Sequence, residues 1–179
     1  MDYTEKKLQS INSYQGRIVN VTMELAELPD GGTAFREVVH HPGGVCVLPV
    51  DENGVAYCVR QYRYPCEAHL LEAPAGKLEP GEAALPSAIR ELSEETGLAA
   101  GQLIDLGAVY SSPGFCTELL HLYLALDLKR GEAHPDPGEF LDVVAVPLDA
   151  LYEQVLRNEI ADGKTALVIL RAKAYLDRK

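Results

Sequence analysis

The alternation of hydrophobic and polar positions near the N-terminus predicts a small antiparallel sheet. Residues 17–26 alternate as a half-buried strand does, and residues 33–40 are the returning strand. Between them, Pro29-Asp30-Gly31-Gly32 is typical of a turn. The segment 42–44 (Pro-Gly-Gly) then interrupts the pattern. We therefore predict an N-terminal strand region at 1–42, followed by a second region at 43–179.

Short apolar runs and a few helical periods fill the second region. Residues 45–50 and 55–62 predict two strands joined by the turn Asp51-Glu52-Asn53-Gly54. Further strands are predicted at 70–73, 104–110, 118–128 and 141–146, and helices at 84–96, 148–158 and 164–175. The mixture of strands and helices predicts an α/β (α+β) fold with a mixed sheet.

Composition and charge narrow the possible partners. The formal net charge is −11, which argues against a nucleic-acid polymer, because such a partner favours a basic surface. No apolar run approaches the roughly 20 residues of a membrane helix. The first nine residues are polar and charged, unlike a signal peptide. We expect a cytoplasmic protein without a membrane partner.

The predicted helix at 84–96 carries an unusual concentration of carboxylates. Glu91, Glu94 and Glu95 fall within one arc of about 100°. Like charges at this spacing repel each other, and the helix dipole disfavours negative charge near its C-terminus. The apolar residues gather on another arc, which we expect to face the core: Leu85, Ala88, Ile89 and Leu92. Taken alone, the acidic stripe favours a solvated face, whereas its flanking residues favour a divalent-cation site.

Those flanking residues make the segment 76–98 resemble the signature box of the Nudix hydrolases. The pattern G-x5-E-x7-R-E-U-x-E-E-x-G-U, where U is a bulky aliphatic residue, is matched at Gly76, Glu82, Arg90, Glu91, Leu92, Glu94, Glu95, Gly97 and Leu98. The resemblance implies a mixed sheet sandwiched between helices. It also implies hydrolysis of a nucleoside diphosphate linked to another group. It gives metal-ligand roles to Glu91, Glu94, Glu95 and the Ala75 carbonyl, with Glu82 also at the metal site, and Arg90 is expected to pair with Glu82.

Three segments outside the box resemble the ADP-ribose pyrophosphatase branch of that family. They are 59–65 (Val-Arg-Gln-Tyr-Arg-Tyr-Pro), 71–76 (Leu-Glu-Ala-Pro-Ala-Gly) and 112–115 (Ser-Pro-Gly-Phe). The branch implies cleavage of ADP-ribose to AMP and ribose 5-phosphate. It also implies a homodimer in which the N-terminal sheet packs on or swaps with the partner. Substrate-binding roles are expected for Arg63, Arg36, Glu37, Arg60, Glu72, Pro113, Gly114 and Phe115.

The catalytic base of this branch is expected on a loop outside the box. Where the branch often has D-E-D-E-F, this chain has Asp-Pro-Gly-Glu-Phe at 136–140. We expect Glu139 to be the base, with Glu132 as the second candidate, and Glu94 and Arg90 to complete the catalytic set. The implied cofactor is Mg²⁺, or alternatively Mn²⁺, with two or more ions.

Two alternatives stay open from the sequence. One is a Nudix pyrophosphatase acting on another nucleotide sugar or nucleoside diphosphate derivative. The other is a Nudix sensor that binds a nucleotide without turnover. Sensors usually lack box carboxylates, whereas this chain keeps Glu82, Glu91, Glu94 and Glu95.

Overall fold

A computed structural model describes residues 2–178, which fall into two compact units. Residues 2–43 and 110–119 form one, here called the N-terminal unit. Residues 44–109 and 120–178 form the other, the box unit. None of the helices among the described residues is long and apolar enough to cross a membrane.

The N-terminal unit is built on a three-stranded antiparallel sheet. Its strands, in sheet order, are β1 (Lys6–Gln15), β2 (Asn20–Glu27) and β3 (Thr33–His40). The β2–β3 hairpin was predicted, whereas β1 was not, because all ten of its residues are exposed and no buried face marks them in the sequence. Antiparallel pairing with β2 along its length, with two register shifts, holds β1 in place. The segment 110–119 joins this unit through Val39, whose amide donates to the Phe115 carbonyl at 2.7 Å.

The box unit contains two sheets. One has the strand order β7-β4-β9-β8 and the other β10-β5-β6. In the first, β4 runs parallel to β9 and antiparallel to β7, so the sheet is mixed, as predicted. The strands are β4 (Gly44–Pro49), β5 (Val55–Arg63), β6 (Ala68–Glu72), β7 (Ala75–Lys77), β8 (Leu98–Tyr110), β9 (Leu119–Arg130) and β10 (Leu141–Pro147).

Helices cover both faces of the four-stranded sheet. They are α1 (Ala84–Thr96), α2 (Leu148–Leu156) and α3 (Gly163–Leu176). Side chains alternate along β4, so Val45 and Val47 pack in one cluster with Ala88 and Leu92 of α1. Cys46 and Leu48 point the other way, into the cluster that contains the buried residues of α2 and α3. The expected sandwich of a mixed sheet between helices is therefore confirmed.

The buried stripe of α1 differs from the predicted one. Leu85 and Ile89 are 47% and 53% exposed, although we expected both to face the core. Ala88 and Leu92 are buried as expected, and Glu95 continues their stripe at 4% exposed. The helix therefore places a carboxylate where an apolar side chain would normally lie, and this requires a chemical explanation.

Candidate active site

The guanidinium group of Arg90 forms hydrogen bonds with three of the box carboxylates. Its Nε and Nη2 donate to the two oxygens of Glu82, each at 3.0 Å, as the resemblance to the box led us to expect. Its Nη1 donates to Glu91 at 2.7 Å and to Glu94 at 2.9 Å. The hydrogen bond from Arg90 is the main reason that the pKa of Glu82 is lowered to about 2. Arg90 thus ties the loop before α1 to the helix and limits repulsion along the acidic stripe.

Glu91 lies against a glycine that leaves room for it. A Cβ on Gly76 would overlap the Glu91 carboxylate, so the first glycine of the box is needed for this packing. Burial raises the pKa of Glu91, and the hydrogen bond from Arg90 opposes that rise. The negative charges of Glu94 and Glu139 raise the pKa of Glu91 further. Arg90 alone therefore does not compensate the negative charge of an ionised Glu91 side chain at this buried position.

Glu95 is the most buried of the box carboxylates. Its Oε2 accepts the Ala75 amide at 3.2 Å. Burial is the first cause that raises its pKa to about 8, and the charges of Glu91 and Glu139 raise it further. A buried carboxylate in this state favours either a proton or a divalent cation.

The expected ligand atoms, which are the carboxylate oxygens of Glu91, Glu94 and Glu95 and the Ala75 carbonyl oxygen, suit a hard divalent cation. Carboxylate oxygens and a backbone carbonyl are the ligands that Mg²⁺ and Mn²⁺ prefer. Among residues 2–178, no three acidic, histidine or cysteine side chains already converge in a formed metal site, and Arg90 hydrogen-bonds to both Glu91 and Glu94. The fit therefore rests on the chemistry of the donors and on the space that Gly76 provides for Glu91.

The two candidate bases lie at opposite ends of the β9–β10 loop. Glu139 is in its C-terminal part, where its amide donates to the Asp136 carbonyl at 2.9 Å. The charge of Glu139 contributes to the raised pKa of both Glu91 and Glu95, and Glu132 is not among the main causes for either. Glu139 is thus within electrostatic range of the acidic face of α1.

Arg63 and Glu72 form a two-point ion pair between the neighbouring strands β5 and β6. Arg63 donates Nε and Nη2 to the two Glu72 oxygens at 2.7 and 2.8 Å. Glu72 is 1% exposed, so its carboxylate depends on such partners. Arg60 is exposed and pairs opposite Asp142 in the β5–β10 ladder.

The five remaining predicted substrate residues lie in the N-terminal unit and line one cavity of about 270 Å³: Arg36, Glu37, Pro113, Gly114 and Phe115. Arg36 donates Nε and Nη2 to Glu5 at 2.9 and 2.6 Å. Phe115 is 57% exposed. The cavity combines charged groups of both signs with an aromatic side chain.

The NUDIX domain model matches residues 40–167. The chain belongs to the Nudix family. It is 40% identical over 167 residues to the ADP-ribose pyrophosphatase of Bacillus subtilis (strain 168), a match that covers 92% of this chain and 90% of that protein. It is also 38% identical over 169 residues to the methanol dehydrogenase activator of Bacillus methanolicus, with 93% and 91% covered.

A solved structure of an ADP compounds hydrolase superposes with a TM-score of 0.84. The match covers 97% of this chain and 94% of that one. At 22% sequence identity, this likeness shows a shared Nudix fold.

Some residues beside the site were missed by the sequence reasoning. Lys164 contacts Glu72 from 92 residues away. Asp162 caps α3, which places Lys164 in the first turn of the helix, but nothing local indicates that Lys164 reaches Glu72. In the N-terminal unit, two further residues line the cavity: Lys7, which lies on the unpredicted strand β1, and Glu5, which directly precedes that strand.

Proposed function

We propose that the protein hydrolyses the pyrophosphate bond of ADP-ribose, giving AMP and ribose 5-phosphate. The observation that carries the proposal is the intact box, in which Glu91 and Glu95 have raised pKa values beside Glu94 and Glu82. The name of the Bacillus subtilis relative supports ADP-ribose as the substrate. Another nucleotide sugar is the alternative, and it would use the same box.

The proposed cofactor is Mg²⁺, with Mn²⁺ as the alternative and two or more ions bound. Glu91, Glu94, Glu95 and the Ala75 carbonyl would hold the ions, with Glu82 close by. When bound, such ions polarise phosphate oxygens and stabilise the leaving phosphate. Arg90 positions three of these carboxylates through its hydrogen bonds.

The proposed base is Glu139, with Glu132 as the second candidate. The base takes a proton from a water molecule while the oxygen of that water forms a bond to one phosphorus. The bond between this phosphorus and the bridging oxygen breaks, and the bridging oxygen leaves with the other phosphate. The influence of Glu139 on the pKa values of Glu91 and Glu95 supports this choice. Arg63 is proposed to bind a phosphate through its planar guanidinium.

Substrate contacts are proposed for further residues in both units. In the N-terminal unit, Arg36, Glu37 and the segment 113–115 share one cavity, whose charged and aromatic groups suit a nucleoside or ribose. Glu72 is proposed to act through Arg63. The exposed position of Arg60 on β5 is compatible with a weaker phosphate contact.

We further propose a cytoplasmic homodimer formed through the N-terminal sheet. Leu8, Ile11 and Tyr14 on β1 are 47%, 51% and 60% exposed, and burial against a second copy would remove this apolar surface from water. Light scattering after size exclusion tests the dimer: a single species of twice the chain mass supports it, and a monomer contradicts it.

Free thiols at all four cysteines support the proposed cytoplasmic location, because the cytoplasm is a reducing compartment.

The reaction is tested by product identification. Incubation of ADP-ribose with the protein and Mg²⁺, followed by chromatography and mass spectrometry, is expected to give equal amounts of AMP and ribose 5-phosphate. A matched reaction with EDTA should give neither product. Turnover that persists in EDTA would contradict the metal requirement, and other products would contradict the bond assignment. A nucleotide that binds tightly but is not cleaved would favour the sensor alternative.

A further inference from the structure

The N-terminus of α3 forms a buried ionic network with the strand that leads into the box. Lys164 Nζ donates to Glu72 Oε2 at 2.5 Å and to Asp162 Oδ2 at 2.9 Å. The Glu72 side chain is 1% exposed and that of Lys164 is 15% exposed. Glu72 also accepts both hydrogen bonds from Arg63. One carboxylate is therefore held by two cations that come from different elements.

The network keeps its charged groups ionised despite burial. Burial alone would raise the pKa of Glu72, but the hydrogen bonds and charges of Arg63 and Lys164 outweigh it and lower that pKa. Burial would lower the pKa of Lys164, but the charges of Asp162 and Glu72 raise it. Removal of one cation would leave a buried carboxylate with incomplete compensation.

The same helix end also fixes the backbone beside Glu72. The Ala73 amide donates to Thr165 Oγ1 at 2.8 Å, and Thr165 Oγ1 donates to Asp162 Oδ2 at 2.5 Å. Asp162 also accepts the Thr165 amide at 3.0 Å, which caps α3. The side chain of Glu72 and the peptide that follows it are therefore anchored to one rigid helix.

The anchored Glu72 carboxylate determines the orientation of the Arg63 guanidinium, because two of the guanidinium nitrogens donate to it. Nε and Nη2 go to Glu72, so the remaining edge of the guanidinium, at Nη1, is available to a ligand. The plane of the guanidinium follows the plane of the Glu72 carboxylate, because two parallel hydrogen bonds join them. A Glu72 held only by Arg63 could rotate and carry the guanidinium with it, whereas the bond from Lys164 fixes the carboxylate.

We propose that Lys164 is a positioning residue of the substrate site, which orients the Arg63 guanidinium toward a pyrophosphate group by immobilising Glu72. The proposal rests on the proposed function in that the ligand is a nucleoside diphosphate compound. Lys164 itself does not touch the substrate. Its effect on ligand affinity passes through Arg63, and this makes the proposal separable from a purely structural role.

A double-mutant cycle tests this dependence. The affinity of ADP, used as the probe, is measured calorimetrically with Mg²⁺ for the wild type, Lys164→Met, Arg63→Met and the double variant. Lys164→Met is expected to weaken ADP binding about 10-fold, the loss of roughly one well-placed charged hydrogen bond. Arg63→Met should weaken it at least as much, and the double variant should bind no more weakly than Arg63→Met. Losses that multiply in the double variant, or unchanged ADP binding by Lys164→Met, would overturn the proposal.

Two further variants separate positioning from folding. Lys164→Arg keeps the charge and is expected to recover ADP affinity to within about threefold of the wild type. Lys164→Gln keeps a donor but no charge, and it replaces Lys164→Met in the cycle if circular dichroism shows that the methionine variant is unfolded. Lys173→Met is the matched control on the same helix, because Lys173 pairs with Asp149 and Asp177 instead. Its ADP affinity should equal that of the wild type, and an equal loss in this control would also overturn the proposal.

Assays with ADP and with ADP-ribose distinguish the role of Lys164 from the proposed reaction. A wild type that binds ADP but leaves ADP-ribose intact would reject the proposed function, while the cycle on ADP would still decide the role of Lys164. A wild type that cleaves ADP-ribose but does not bind ADP would leave the proposed function standing and overturn the role of Lys164, which requires a pyrophosphate contact at Arg63.

Discussion

The backbone amide of His134 donates a 2.9 Å hydrogen bond to the carbonyl oxygen of Glu94. A second bond runs from the Gly131 amide to the Gly97 carbonyl at 2.7 Å. The start of the β9–β10 loop is therefore attached to the C-terminal end of α1, where helix carbonyls otherwise lack partners. The loop that carries both candidate bases is thus anchored on the helix that carries the box carboxylates.

Gly97 makes this attachment possible, so Gly97→Ala should damage both stability and turnover. Gly97 has a φ of 68°, and an added Cβ would lie 2.7 Å from the Ala133 amide nitrogen. We expect a loss of about 2 kcal/mol in the free energy of unfolding, combining backbone strain with displacement of the loop. We also expect a fall in kcat of roughly 10-fold or more, because displaced catalytic groups lose their geometry. Urea unfolding and steady-state kinetics measure the two effects.

Gly54→Ala is the matched control for this prediction. Gly54 has a φ of 73° but nothing lies within 4 Å of its added Cβ. It should show only the backbone cost of about 1 kcal/mol and a normal kcat. An equal loss of kcat in both variants would contradict the role assigned to loop anchorage.

Replacing Glu95 or Glu94 by Gln should abolish most activity without unfolding the protein. A neutral amide is a poor ligand for a divalent cation, whereas the apolar contacts of Ala88 and Leu92 that pack α1 are unchanged. We expect kcat to fall by about 100-fold or more, measured on ADP-ribose with saturating Mg²⁺. Glu79→Gln, in the exposed part of the box loop, should retain wild-type kcat. Near-full turnover by Glu95→Gln and Glu94→Gln would contradict their metal roles.

Glu139→Gln should lower kcat more than it raises KM, because a general base acts in the transition state. The expected fall in kcat is roughly 10²-fold or more. Glu132→Gln is the comparison variant on the same loop, and its kcat should stay close to that of the wild type. If only Glu132→Gln lost kcat, the base would have to be reassigned to Glu132.

The ion pairs of Glu72 should make stability depend on pH in the acidic range. Because the folded-state pKa of Glu72 is lowered, its contribution is fully present above its ordinary value of 4.5 and is lost as pH falls through the folded-state pKa. At pH 7, Glu72→Gln should therefore be about 2 kcal/mol less stable than the wild type, since it removes the carboxylate that pairs with Arg63 and Lys164. The loss stays below that of a fully buried pair, because the Arg63 side chain is 39% exposed and Lys164 keeps its bond to Asp162. This difference should shrink as pH falls below 4.5. Urea unfolding at several pH values measures it, with the exposed pair member Glu159→Gln showing little change. A pH-independent difference for Glu72→Gln would contradict the charge-based explanation.

The sequence was most informative where a feature is local. The helix at 84–96 was predicted with its observed bounds, because apolar periodicity ends at a glycine that can adopt a left-handed C-cap. The pairing of Arg90 with Glu82 was also predicted from their place in the box. Both depend on residues within the single segment 82–97.

Features that depend on distant partners were missed or only partly predicted. The strand β1 has the polar sequence Lys-Lys-Leu-Gln-Ser-Ile-Asn-Ser-Tyr-Gln and exists through pairing with β2 rather than through a buried face. The burial of Glu95 follows from the way α1 packs on the sheet, and periodicity assigned that side to Leu85 and Ile89 instead. The contact between Lys164 and Glu72 arises only when the N-terminal end of α3 meets the C-terminal end of β6, so no local pattern predicts it.

We propose that the box carboxylates serve hydrolysis of ADP-ribose in preference to other nucleotide compounds. The most direct test of this preference is the comparison of kcat/KM for ADP-ribose, GDP-sugars, diadenosine polyphosphates and nucleoside triphosphates under one Mg²⁺ concentration. We predict the highest kcat/KM for ADP-ribose, with AMP and ribose 5-phosphate as products. A higher kcat/KM for a GDP-sugar or any other member of the panel would contradict the proposed substrate.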